Sequence, residues 1–105
     1  MTDALVVLVT APTPERAAEI ARAVVEERLA ACGNVVPGLR SIYRWEGKVQ
    51  DEAEALLVLK TTRARFEALR GRIVALHPYQ VPEVIALPVE AGSAEYLAWI
   101  AAETR

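Results

Sequence analysis

The sequence predicts an α+β fold in the order β-α-β-β-α-β, followed by one more helix. Three observations carry that order. A continuous β-branched and aliphatic run, Ala4–Val9, opens the chain. A long extended stretch from about Cys32 to Thr61 is broken only at Pro37-Gly38 and at Glu46-Gly47-Lys48. Apolar residues recur at helical spacing on either side of that stretch.

Each element follows from its residues. The unalternating run Ala4–Val9 reads as a central strand buried on both faces. Thr13 is placed to cap a helix, with Pro14 at its first position and Glu15 beside the positive end of the dipole. Ala17, Ile20, Ala21 and Val24 form its stripe, and Gly33 is the expected terminator. The second strand is expected from Cys32 to Glu46, bent or bulged at Pro37-Gly38. Beyond the bend Leu39, Ser41, Tyr43 and Trp45 share one face. Glu46-Gly47-Lys48 turns the chain, and Val49 to Thr61 returns with Ala53, Ala55, Leu57 and Leu59 on its apolar face. Asp51, Glu52 and Glu54 then pass Arg40, Arg44 and Lys48, which sets opposite charges across the hairpin. Thr62 is the expected cap of a second helix with the stripe Phe66, Leu69, Ile73, Leu76, ending at His77-Pro78. Val84 to Val89 is a fourth short strand, and Gly92-Ser93 opens a last helix bearing Tyr96, Leu97, Trp99 and Ile100. This order is the split βαβ, ferredoxin-like arrangement, an antiparallel sheet with two helices on one face. The opposite face is expected to stay bare in a single copy.

Size and charge set limits. With 105 residues there is room for one domain, residues 1–105, and 53% of them are hydrophobic. So much apolar sequence on a small body points to cover by further subunits. A net charge of −2 argues against nucleic acid as a partner. Arg63, Arg65, Arg70 and Arg72 lie at helical spacing beside Glu67 and read as a solvated face. One cysteine forms no internal disulfide and suits a reducing compartment; no run approaches 18 apolar residues. A soluble cytoplasmic protein, with no membrane partner, is therefore the expectation.

The common chemistries are missing their parts. Cys32, in an Ala-Ala-Cys context, reads as an inert core thiol, and zinc-site spacings are absent. The loop Thr10-Ala11-Pro12-Thr13 has neither glycine nor lysine, so it makes no phosphate nest and no acylphosphatase-type anion loop. Leu5–Val9 has no aromatic residue on which an RNA base could stack. The richest segment is His77-Pro78-Tyr79-Gln80-Val81-Pro82-Glu83, stiffened by two prolines that hold the residues before them out of helical space. With Tyr43, Trp45 and Lys60 it gives the candidate set Tyr43, Trp45, Lys60, His77, Tyr79 and Glu83. Two readings apply to that set. It lines a ligand cleft pre-formed by the rigid connector, or its aromatics anchor core and interface while Glu83 pairs with Lys60.

Several motifs carry a resemblance over nearly the whole chain. Leu29-Ala30-Ala31-Cys32, Asn34-Val35-Val36-Pro37-Gly38, Ser41-Ile42-Tyr43-Arg44-Trp45-Glu46-Gly47, Leu59-Lys60-Thr61-Thr62, His77-Pro78-Tyr79-Gln80-Val81-Pro82-Glu83 and Tyr96-Leu97-Ala98-Trp99 resemble the CutA divalent-cation-tolerance proteins. The resemblance implies a ferredoxin-like homotrimer, akin in architecture to the PII signalling proteins, whose hairpin strands pair across subunits. It implies a non-enzymatic role in tolerance to divalent metals, with copper or zinc as the candidate cation. Copper ligation proposed for some members uses a strand-one cysteine and two adjacent histidines. Those places here hold Val9, Leu76 and His77, which leaves His77 as the one potential metal donor. Two functional expectations follow. One is a trimer binding an ion or small ligand at inter-subunit clefts, with His77 as soft donor, Glu83 as counter-charge, Lys60 for an anionic group, and Trp45 and Tyr79 as walls. The other is a scaffold or signalling trimer with an indirect part in metal tolerance.

Overall fold

A computed structural model describes residues 2–105. In chain order they form β1 (Ala4–Ala11), α1 (Pro14–Glu26), β2 (Cys32–Trp45), β3 (Lys48–Thr62), α2 (Phe66–Leu76), β4 (Ile85–Pro88) and α3 (Ala94–Glu103). The strands make one antiparallel sheet in the order β2-β3-β1-β4, so β3 separates β1 from β2 as the ferredoxin-like arrangement requires. α1 and α2 cover one face. Beneath them Val7, Val9, Ala11, Leu57, Leu59 and Ala55 of the inner strands meet Ala17, Ile20, Val24, Leu69 and Ile73 of the helices in one core. The helical stripes read from the sequence are those that pack, and at about 25 cal/mol per Å² their burial is the main favourable term of the fold.

α1 begins as expected. Thr13 is extended, and its hydroxyl accepts from the Arg16 amide at 3.1 Å ahead of Pro14 at the first helical position. Its end differs. Gly33 lies inside β2, and the helix stops at Arg28, which takes φ 61°. The Leu29 amide donates to the Val24 carbonyl and the Arg28 amide to that of Val25, a Schellman end with arginine where glycine is usual. Gly33 serves closeness instead. A Cβ there would lie 2.9 Å from Leu59 Cδ2 and 3.0 Å from the Ala21 methyl, where α1 crosses the sheet. Thr62 is also a correction. It stands ahead of a single 3-10 turn, Arg63–Arg65, that precedes α2, and its side chain makes no cap bond there.

The β2–β3 hairpin is the dominant feature. Register shifts between Val36 and Leu39, and Gly38 takes φ 83°, so the Pro37-Gly38 bulge falls where the sequence placed it. Trp45 faces Lys48 across a two-residue Glu46-Gly47 loop with φ of 50° and 77°, the paired positive angles of a tight hairpin turn. Arg40 grips Asp51 through two hydrogen bonds of 2.9 and 2.7 Å, the cross-hairpin charge pairing expected. β1 pairs with β3 only as far as Ala11 opposite Ala55. The seven β3 residues before Ala55 have no β1 neighbour, so the hairpin projects by about 23 Å at roughly 3.3 Å per residue. The body measures 44 × 25 × 22 Å as a result.

β1 is central but not closed on both sides. Its odd-numbered residues are buried beneath the helices, while Val6, Leu8 and Thr10 on the other face are half-buried. That second face is not wholly bare, since α3 packs Ile100 against Ala4 and Ala31 at one end of it. Away from α3, Ile85 and Leu87 stand opposite Leu8 and Val6 and are exposed, as is Val36.

Candidate functional site

The stiff connector from His77 to Glu83 leaves α2 and crosses the end of β1, where the hairpin begins to project. His77 caps α2 with extended backbone, as expected of a residue before proline. Its ring is buried and has a partner at each nitrogen. Nε2 lies 2.7 Å from the Thr10 carbonyl, and Nδ1 accepts the Tyr79 amide at 3.1 Å. Nδ1 can accept only as a lone pair, so the proton sits on Nε2 and donates to Thr10. With both nitrogens engaged, His77 pins the connector to β1 and has no free donor for a metal. Among the described residues no group of three or more His, Cys, Asp and Glu side chains is placed to hold a metal ion.

The pin orients Tyr79. Its ring stacks at an angle against His77, centroids 4.6 Å apart, and its hydroxyl donates to Glu54 Oε2 at 2.5 Å. Glu54 is only 8% exposed although it stands on the projecting part of β3. Burial first, and then the bond to Glu54, raise the Tyr79 phenol well above its ordinary range, so it stays a proton donor. Glu83 is also raised, by burial and then by the Glu54 charge. Across from them Tyr43 donates to Glu52 Oε1 at 2.9 Å.

These groups enclose a cleft of about 580 Å³, whose walls include Tyr43, Trp45, Glu54, Tyr79 and Glu83, with Thr10 at its floor. Four of the six residues singled out in the sequence therefore line it: Tyr79 and Glu83 near Glu54 at the root of the hairpin, Tyr43 and Trp45 toward its tip, with Trp45 opposite Lys48, six β3 positions from Glu54. His77 stands behind the wall and positions Tyr79. Lys60 is elsewhere. It pairs with Val6 and Cys32 in the sheet and donates to Asn34, and six strand positions, about 20 Å, separate it from Glu54. Glu83 consequently has no ion pair with Lys60. Cys32 is not a core thiol either: half-buried at the start of β2, it has its sulfur 3.6 Å from the Tyr96 hydroxyl, under α3. Glu54 was missed because it alternates with Ala53 and Ala55 like any solvent-facing hairpin charge. The available signal was its position, at the step where the strand passes from charged to aliphatic residues.

The cleft brings a buried carboxylate, a second acid and three aromatic faces together, with no nucleophile–base pair among them.

Residues 5–103 match the family described as CutA1 divalent ion tolerance protein. The divalent-cation tolerance protein CutA of Thermus thermophilus is 57% identical over 99 residues, covering 94% of this chain and 96% of that one. A chloroplastic CutA of Arabidopsis thaliana is 50% identical over 101 residues, which are 96% of this chain and 56% of the plant protein. The present chain thus spans little more than half of that relative. The crystal structure of CutA from Xylella fastidiosa superposes with a TM-score of 0.96 at 42% identity, covering 99% of this chain and all, 100%, of that one.

Proposed function

The chain belongs to the CutA1 divalent ion tolerance family, and from that premise we propose a non-enzymatic homotrimer that binds a metal ion or small ligand in clefts at the seams between subunits. The observation that carries the reading is the projecting hairpin. An isolated two-stranded ribbon is marginal in water, yet this one bears Ile42 and Val49 at 66% and 64% exposure beside half-exposed Tyr43 and Trp45. Such apolar surface far from the core is stable when other copies cover it. The exposed Ile85, Leu87 and Val36 on the open sheet face ask for the same cover. Because the cleft runs along the hairpin from Thr10 at its root to Trp45 near its tip, assembly around the hairpin would close its mouth and place it at a seam.

A binding role without catalysis agrees with the parts. Cys32 and His77, the only thiol and imidazole, have separate partners and do not meet. Tolerance to divalent cations then follows from capture of a cation, or from a ligand whose occupancy reports on metal load. A cytoplasmic setting, which the free Cys32 thiol suits, belongs to the same reading. Isothermal titration of the purified protein with Cu(II), Zn(II), nucleotides and common metabolites tests it. Saturable binding that weakens in Glu83→Gln is the expected result. Flat titrations across the panel would leave the scaffold role in its place.

A further inference from the structure

We propose that the cleft beside the hairpin takes an organic ammonium: a protonated amine carried on an apolar or aromatic body. This rests on the reading of the cleft as a ligand site and names the ligand's chemistry. Three observations lead there. The first is uncompensated negative charge. Glu54 is nine-tenths buried, and its one hydrogen bond comes from the neutral Tyr79 hydroxyl through Oε2. No fully buried side-chain oxygen among the described residues lacks a partner, so Oε1, which has none in the protein, opens on the cleft. Glu83 stands near enough for its ionisation to be opposed by that of Glu54. Among the described residues neither acid has an ion pair, and no lysine, arginine or histidine lines the cleft. A buried carboxylate without a counter-ion is costly, and a cation entering beside Glu54, with the exposed Glu83 next to it, relieves that cost.

The second observation separates an organic cation from a metal. Softer divalent ions take three or four protein donors, and the cleft brings no such set together. A hard ion held by two carboxylates keeps most of its water. The third is the wall itself. Tyr43, Trp45 and Tyr79 supply aromatic faces, which attract an alkylammonium through the ring quadrupole and pack against its carbon body. A hydrated metal ion uses neither property. The volume, about 580 Å³, lies in the range of small-molecule pockets and far exceeds one ion.

The test uses the full chain in its native assembly, with putrescine, spermidine and tryptamine as probes. 1,4-Butanediol and tryptophol serve as uncharged counterparts. Binding is followed by calorimetry and by the NMR signal of the Trp45 indole N–H, assigned against Trp45→Phe. At least one amine is expected to bind saturably and shift that signal, while its uncharged counterpart does not. Glu83→Gln is expected to weaken the amine about tenfold or more, the loss of one charge-assisted contact. Sedimentation and a thermal melt of Glu83→Gln are expected to show native assembly and fold, which separates a lost contact from a site lost to misfolding. Equal binding of amine and alcohol, or amine affinity unchanged in Glu83→Gln, would overturn the proposal. So would amines that fail while Zn(II) or an anionic metabolite shifts Trp45; that outcome ends the amine assignment and leaves the broader ligand-site reading standing. A cleft closed to every probe, together with assembly weakened by Glu54→Gln, would mean that a neighbouring subunit supplies the cation, and both readings of the cleft would fall.

Discussion

His77 shows how one residue can be conspicuous in a sequence for a reason other than the obvious one. As the only imidazole it invites a metal or catalytic role, yet its two bonds, to the Thr10 carbonyl and the Tyr79 amide, make it a clamp. His77→Ala is expected to cost about 1–3 kcal/mol of stability, because it orphans a buried carbonyl and frees the connector. Urea denaturation checks this, and a loss below about 0.5 kcal/mol would remove the clamp from the account. Glu83 carries a pH signature. Its carboxyl is raised by burial and by Glu54, so in the unliganded protein the native state holds a proton that the unfolded chain releases near its ordinary value of about 4.3. The stability this contributes is complete below that value and is lost as pH rises through the raised one. Glu83→Gln is therefore expected to match the native sequence at about pH 4 and to exceed it in stability at pH 8. Parallel melting curves at the two pH values would contradict this.

At the scale of elements, periodicity made most of the fold legible. β1, the α1 and α2 stripes, the Pro37-Gly38 bulge and the Glu46-Gly47 turn stand where their residues place them, because each is fixed by local chemistry. The misreadings have a common cause in tertiary context. Gly33 looks like a helix terminator, but it is glycine because Leu59 and Ala21 leave no room for a Cβ, which requires knowing that α1 crosses β2. Arg28 meanwhile holds a left-handed angle that sequence rules reserve for glycine or asparagine, and its guanidinium donates to the carbonyls of Ala102 in the last turn of α3 and Arg105 just past it. The site was legible by residue type in Tyr43, Trp45, Tyr79 and Glu83. Placing Lys60 needed the register, and finding Glu54 needed its burial. Gly33→Ala is expected to destabilise by about 1–3 kcal/mol through overpacking at the α1–β2 crossing. Thr13→Ala is expected to cost about 1 kcal/mol through loss of the Arg16 amide bond. Thermal melts of the two variants test both, and a neutral Gly33→Ala would mean the crossing is looser than its contacts imply.

For the whole molecule, a small body carries a long projecting hairpin with exposed apolar side chains, the feature on which the proposed assembly rests. Trp45 lies near its tip at 41% exposure, on the face it shares with Tyr43, while Ile42 and Val49 stand exposed on the other. Its removal should act on assembly more than on the fold of one copy. Trp45→Ala is expected to weaken association by about 3–5 kcal/mol where the ring is covered by a neighbour. Sedimentation across a dilution series reads that loss as dissociation at higher concentration than the native protein. Sedimentation equilibrium of the native protein at nanomolar to micromolar concentration goes to the root of the matter. One species with the mass of three chains, persisting on dilution, is the expected result; a folded, non-associating single chain would contradict the account.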